Sequence, residues 1–138
     1  MKKHLLLSVL IVLFTSIFSA QAQTPVCGDV FMDPGQSSNY ANNTDYTVTI
    51  YPTNPGDKVT VTFTSFNTEA TYDGLYIFDG NSINAPQIAS ANAAANIPGG
   101  LAGAYWGTAI PGPFTSTSSD GSLTFHLSQM LLLLNQVG

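Results

Sequence analysis

Two acidic side chains, Glu69 and Asp73, lie four residues apart in a connection between two predicted strands. This spacing lets both carboxylates reach one cation from a single loop, and a hard cation such as Ca²⁺ takes carboxylate and carbonyl oxygens as ligands. Because Ca²⁺ takes about six to eight oxygens, the pair predicts an incomplete metal site whose other ligands come from elsewhere. The alternative is that both acids are solvated loop residues.

Two neighbouring aromatic residues, Tyr105 and Trp106, form a second candidate site. Aromatic faces suit the apolar faces of sugar rings, which indicates a glycan contact, whereas burial in a core is the competing interpretation. Catalysis has less support. His126 is the one histidine outside the N-terminal segment, and no strand-to-helix turn carries a serine nucleophile. We therefore expect a protein that is not an enzyme, with no catalytic residues.

The first 22 residues are typical of a secretory signal peptide. Lys2 and Lys3 precede an apolar run over residues 5–18, and small residues surround the end at Ala22. The run is shorter than the roughly 18 residues that a membrane-spanning helix needs. The sequence predicts a protein that is secreted or displayed at the cell surface and does not insert into the membrane.

Charge and cysteine content exclude further classes. Beyond residue 22, Lys58 is the only basic residue and faces eight acids, so binding to nucleic acid by charge neutralisation is excluded. Cys27 is the only cysteine, so its thiol is free or pairs with another chain. The remaining length fits one domain.

Strict alternation of apolar and polar residues indicates the β-strands that would position the candidate site residues. Val59, Val61 and Phe63 share one face with threonines between them. In the last such segment Leu123, Phe125 and Leu127 are predicted inward, with Thr124 and His126 outward. Frequent turn residues between the segments predict an all-β fold, an antiparallel β-sandwich. The alternating segments are residues 46–50, 59–63, 75–78 and 123–127.

A central motif consists of Phe63-x-x-Phe66-x-x-Glu69 followed by Tyr72-Asp73-x-Leu75-x-Ile77-Phe78-Asp79-Gly80. Supporting pieces are Cys27-Gly28 at the start and Asp120-Gly121 near the end. Together these motifs resemble CUB domains and are similar to the CUB-like modules of secreted proteins from bacteria of the Bacteroidetes type. The resemblance covers about residues 27–127.

This resemblance implies a CUB-like jelly roll that binds partners rather than catalysing a reaction. It also implies that Glu69 and Asp73 are the first two acidic ligands of a Ca²⁺ site. The chain departs from the family pattern where bacterial relatives often carry cysteine, since it has Tyr51 and Ser122 there. The third acid, expected in a Ser-Asp-x-Ser stretch, is missing.

The expected function is a secreted adhesion or partner-recognition module with a protein or glycan ligand, assisted by Ca²⁺ in its intact form and part of a longer multidomain protein. The alternative is a carbohydrate-binding or targeting accessory module of a secreted protease or hydrolase. In that alternative Tyr105 and Trp106 would contact the glycan.

Residues 128–138 form an apolar tail, SQMLLLLNQVG, which does not fit the domain over residues 23–127. Our hypothesis is that this tail comes from a shifted reading frame, so that the final strand of the domain is missing or replaced. Loss of that strand would leave backbone hydrogen-bonding groups of its neighbour unpaired. In the chain as written, weak Ca²⁺ binding or none is expected.

The encoding DNA tests the frame hypothesis. We expect the codons for residues 128–138, read two bases later, to encode Ser-Asp-Ala-Ser-Val-Thr-Gln-Pro-Gly-Trp, which contains the missing acid. Sequencing the locus through and beyond codon 138 is the measurement. Codons that cannot yield this alternative sequence would rule the hypothesis out.

Overall fold

The computed structural model of the chain describes Pro25, residues 28–30 and residues 45–129. These residues contain no helix, and their strands pair antiparallel in two sheets, so the all-β prediction is confirmed. The predicted signal peptide, Cys27 and the tail from residue 130 onward lie outside the described residues. No helix in the described ranges is long and apolar enough to span a membrane. The strands are β1 (Asp45–Ile50), β2 (Thr60–Val61), β3 (Asp73–Phe78), β4 (Phe114–Thr115) and β5 (Leu123–Gln129).

The larger sheet has three strands in the order β1-β5-β3, so β5 lies in the middle. Its register places Leu127 opposite Tyr46 on one side and opposite Leu75 on the other. Because directly opposite residues in an antiparallel pair project to the same face, apolar side chains from all three strands meet on one side of the sheet. The strand β5 extends two residues beyond the predicted end at Leu127 and includes Ser128 and Gln129.

The smaller sheet pairs β2 with β4 and is shorter than the alternation over residues 59–63 predicts. Thr60 faces Thr115 and Val61 faces Phe114. The amide of Ser116 donates to the carbonyl of Val59 at 2.9 Å, so the contact between the two segments extends one residue beyond the paired strands.

One hydrophobic core takes side chains from both sheets. Ile77 and Phe125 of the larger sheet and Phe114 of the smaller sheet belong to it. The ring of Phe63 stands edge-on to Phe114 and Phe125, with ring centroids 6.2 and 6.1 Å away. The sheets therefore share apolar contacts, which is what a sandwich requires, while the sandwich itself stays a prediction.

The opposite face of the larger sheet is also covered. Residues 81–107, here called the cover segment, bring Ile97 and Ala104 against Tyr76 and Phe78 of β3. The prediction that Thr124 points outward is wrong, because this residue is fully buried and its Oγ1 donates to the carbonyl of Gly80 at 2.8 Å. The sequence did not reveal this second layer because a segment rich in alanine, glycine and serine has no hydrophobic period.

His126, also predicted outward, is half-buried on the same face. Its ring stacks on Tyr76 with centroids 6.1 Å apart and planes inclined by 29°. The cover segment is tied to this face by the Tyr76 hydroxyl, which donates to the carbonyl of Leu101 at 2.9 Å. Packing and hydrogen bonding together hold the cover segment in place.

Gly74 allows the close approach of the cover segment to β3. A Cβ atom at this position would lie 2.5 Å from Ile97 Cδ1 and 2.9 Å from Ala104 Cβ. Real Cβ atoms do not approach other heavy atoms so closely, so any side chain here would displace the cover segment. The glycine is therefore required by packing between the two layers.

We expect Gly74→Ala to destabilise the fold by about 1–3 kcal/mol, the usual cost of overpacking a tight core. The measurement is urea unfolding followed by tryptophan fluorescence. Ile97→Val removes the Cδ1 atom that the new methyl would strike, so the double variant should lose less stability than the two single variants summed. Strictly additive losses would show that the two positions do not touch.

Candidate functional site

The chain turns back immediately before β3, and this turn holds both predicted metal ligands. The amide nitrogens of Tyr72 and Asp73 donate to the carbonyl of Glu69 at 3.2 and 2.9 Å. The amide of Glu69 donates in return to Asp73 Oδ2 at 3.3 Å. The structure thus brings Glu69 and Asp73 together in one closed unit, here called the 69–73 turn.

The two acids differ in burial. Asp73 is 4% exposed, whereas Glu69 is exposed. A buried carboxylate is costly unless hydrogen bonds or a cation compensate for its lost hydration. The turn therefore carries one buried carboxylate and one exposed carboxylate.

Thr71 in the middle of the 69–73 turn adopts φ of 72°, the left-handed region that β-branched residues avoid. Such a conformation costs about 1–3 kcal/mol and persists only when the surroundings enforce it. Here the carbonyl of Thr71 accepts a hydrogen bond from the amide of Asn96 at 2.9 Å. Backbone strain of this kind often occurs at binding sites, and the cover segment helps to hold it.

The 69–73 turn supplies part of the ligand set that a cation would need. Its two carboxylates are ligands that Ca²⁺ prefers. At the neighbouring end of β5, the Oε1 atom of Gln129 is buried and has no hydrogen-bond partner among the described residues. In the described part of the chain, no group of three or more His, Cys, Asp or Glu residues could share a metal ion. A metal role for Glu69 and Asp73 stays a prediction.

Tyr105 and Trp106 do not form one flat surface. Tyr105 packs into the core shared by the two sheets, with its ring centroid 5.3 Å from that of Phe114, and burial raises the pKa of its hydroxyl. Trp106 packs instead against the core cluster beneath the cover segment. Both residues are half-buried, and a glycan contact by either stays a prediction.

His126 has the surroundings of a structural side chain. Its Nδ1 lies 2.8 Å from Thr47 Oγ1 and 3.5 Å from Asp45 Oδ1. A serine-hydrolase relay needs the nucleophile on one ring nitrogen and the acid on the other. Because both neighbours lie at the same nitrogen, this arrangement ties β1 to β5 and does not form a relay.

Asp79, immediately after β3, accepts four hydrogen bonds. Asp79 Oδ1 accepts from Ser116 Oγ at 3.0 Å, from the Thr117 amide at 2.9 Å and from the Ser118 amide at 3.0 Å. Asp79 Oδ2 accepts from the Thr117 hydroxyl. These four residues, here called the Asp79 clamp, fasten the end of β3 to the connection between β4 and β5.

Asp120 continues the clamp toward β5. Its Oδ1 accepts from Ser118 Oγ at 2.9 Å, from the Ser122 amide at 3.0 Å and from Ser122 Oγ at 2.6 Å. These bonds from Ser122, and then the bond from Ser118, hold the pKa of Asp120 below its ordinary value. The only signal in the sequence is a run of serines and threonines, which indicates a turn but not its partner.

Hydrogen bonding also lowers the pKa of Asp79. Desolvation acts on this carboxyl in the opposite direction and would raise its pKa, but the bonds from Thr117, Ser116 and Ser118 together outweigh it. A carboxyl with a lowered pKa stabilises the fold above its ordinary pKa. That stabilisation is lost as the pH falls through the lower value of the folded state.

Neither models of known protein families nor the sequences of curated proteins give a match to this chain. The resemblance to CUB domains therefore depends on the motif residues alone. Membership of that family stays a prediction.

We expect Asp79→Asn to destabilise the fold at neutral pH by about 1–2 kcal/mol, because it replaces a charged acceptor of four hydrogen bonds in a partly solvated position. The variant should also lose less stability than the wild type when the pH is lowered below about 4. Urea unfolding at neutral and acidic pH measures both effects. Asp57→Asn is the control, since Asp57 is exposed and accepts one side-chain bond, from Asn54. Equal acid sensitivity of Asp79→Asn and wild type would contradict the role of the clamp.

Proposed function

We propose that this chain is a secreted, non-catalytic recognition module that binds a protein or glycan partner, with Ca²⁺ ordering the surface around the 69–73 turn. The observation that carries the proposal is the buried carboxylate of Asp73, held within hydrogen-bonding distance of the Glu69 backbone. When bound, Ca²⁺ would supply the positive charge that offsets burial of this carboxylate. Glu69 and Asp73 are the residues that would hold it.

The surroundings of the turn support a recognition surface. Ala70 and Thr71 are exposed at its tip. Thr68, just before the turn, makes two hydrogen bonds to Gly107. Its amide donates to the Gly107 carbonyl at 3.1 Å, and its Oγ1 accepts from the Gly107 amide at 3.1 Å. An exposed tip on a fixed base is the arrangement expected of a preorganised binding loop.

The register of the larger sheet supports the resemblance to CUB domains. Ile50 of β1 faces Leu123 of β5. One step further along this register sets Tyr51 opposite Ser122, the two positions where the resemblance places cysteines in relatives. Directly opposite residues of neighbouring antiparallel strands have Cα atoms about 4.5–5.5 Å apart, which suits a disulfide. This placement supports the proposed resemblance, although the chain itself lacks both cysteines.

A carbohydrate-binding or targeting accessory module of a secreted protease or hydrolase is the second candidate. Its support is Trp106, which is half-buried within the cover segment. Aromatic side chains with one accessible face bind sugars without needing a metal ion. Dependence on Ca²⁺ therefore separates the two candidates.

Binding arrays test both. The fluorescently labelled chain is applied to spots of extracellular proteins and of polysaccharides, in millimolar Ca²⁺ or in EDTA. The first function predicts retention that requires Ca²⁺ and that is reduced at least about tenfold by Glu69→Ala, a loss typical of removing one charged ligand. Asp57→Ala is the matched control, because it removes an exposed acid at a distance from the turn in sequence.

The second function predicts retention on polysaccharide alone, unchanged by EDTA and lost in Trp106→Phe. If the labelled wild-type chain is retained on no spot, either in Ca²⁺ or in EDTA, both proposed functions are contradicted. Equal retention of wild type and Glu69→Ala would exclude the 69–73 turn from the binding surface.

A further inference from the structure

Lys58 is the only lysine or arginine beyond residue 3 of the chain. Proteases of the trypsin class cut after these two residue types, because an acidic pocket binds the basic side chain. The Lys58–Val59 peptide bond is therefore the one bond beyond residue 3 that such a protease can recognise. Residues 53–58, which lead up to this bond, are all exposed.

Val59, on the other side of this bond, is fixed in the folded protein. It is 2% exposed and belongs to the core shared by the two sheets. Its amide donates to the carbonyl of Gly121 at 2.9 Å, and its carbonyl accepts from the amide of Ser116 at 2.9 Å. A protease cuts such a bond only in a transiently opened state of the chain. Both hydrogen bonds must therefore break before cleavage.

The residues that hold Val59 also hold the segment before it. Lys58 Nζ donates to the carbonyl of Ser118. Gly121 lies so close that a Cβ atom at this position would clash with the carbonyl oxygen of Asp57. Residues 116–122, here called the 116–122 connection, therefore contact the chain on both sides of the Lys58–Val59 bond.

The Asp79 clamp orders the 116–122 connection. Asp79 accepts four hydrogen bonds from residues 116–118. Asp120 accepts from Ser118 and Ser122. Two carboxylates thus hold the residues that cover the cleavable bond, and the loss of their hydrogen bonds would release that cover.

We propose that the Lys58–Val59 bond is a conditional cleavage site for proteases of the trypsin class. The 116–122 connection covers the bond in the folded protein and exposes it when the Asp79 clamp opens. In the reaction, water adds across the peptide bond, which leaves a carboxyl group on Lys58 and an amino group on Val59. The site needs neither Ca²⁺ nor the partner of the proposed function.

The position of the bond determines what cleavage would do. Among the described strands, β1 precedes the bond and the other four follow it. After cleavage, β1 would be bound to β5 by noncovalent contacts alone. Opening of the clamp would thereby be converted into an irreversible change of the fold.

Limited proteolysis of the full chain with trypsin at neutral pH, followed by mass spectrometry of the fragments, tests the proposal. Wild type should be cut slowly and, beyond residue 3, only after Lys58. Lys58→Gln should resist cleavage there. Pro55→Lys places a basic residue in the exposed part of the same loop. This variant should be cut after position 55 at least about tenfold faster than wild type is cut after Lys58.

Two further variants separate opening of the clamp from unfolding of the whole domain. Asp79→Asn should raise the rate of cleavage after Lys58 about tenfold. Gly74→Ala is the matched control, because it disturbs the opposite layer and leaves the clamp intact. It should keep the rate within about twofold of wild type. Ser118→Ala removes only a hydroxyl of the clamp and should give a smaller rise, which keeps the test decisive if Asp79→Asn does not fold.

Three results would overturn the proposal. The first is cleavage of folded wild type after Lys58 as fast as cleavage of Pro55→Lys after position 55, which shows that the bond is not covered. The second is an equal rate in wild type, Asp79→Asn and Ser118→Ala, which shows that the clamp does not control the site. The third is equal acceleration by Gly74→Ala and Asp79→Asn, which assigns cleavage to unfolding of the whole domain.

Discussion

The structure depends on the position of β5 between β1 and β3. This strand is hydrogen-bonded along both edges, and both of its faces are covered. Leu123 and Phe125 enter the core shared by the two sheets, while Thr124 lies beneath the opposite layer. Because Thr124 is fully buried, its hydroxyl needs a hydrogen-bond partner within the protein.

The layer over the second face is held by contacts that involve few large side chains. Gly74 lets Ile97 approach the backbone of β3, and the Tyr76 hydroxyl binds the backbone at Leu101. Asn92 Nδ2 and Ser90 Oγ both donate to the carbonyl of Ala104, at 2.8 and 2.5 Å. An irregular segment can thus form part of the fold when hydrogen bonds to its backbone replace the regular pairing of a sheet.

Sequence alone predicted the parts of this fold that follow a two-residue period. The alternation located β1, β3 and β5, and spacing alone placed Glu69 and Asp73 in one loop. The alternation gave the wrong face for Thr124, because a threonine between apolar strand residues is predicted to be exposed unless a second layer is known to cover it. The Asp79 clamp and the contact of Gln129 with the end of β3 involve residues far apart in the chain, and no local pattern encodes such pairs.

The end of β5 and the proposed binding loop belong to the same part of the molecule. Asp73 is both the first residue of β3 and the last residue of the 69–73 turn, and its ladder partner is Gln129. Under the proposed function, a cation held by Glu69 and Asp73 would be fixed to the first residue of β3. Any ligand that binds only the folded state stabilises it, and coupling between two binding sites is reciprocal. Under the proposed function, Ca²⁺ binding would therefore stabilise the fold, and Ca²⁺ and the partner would each raise the affinity for the other.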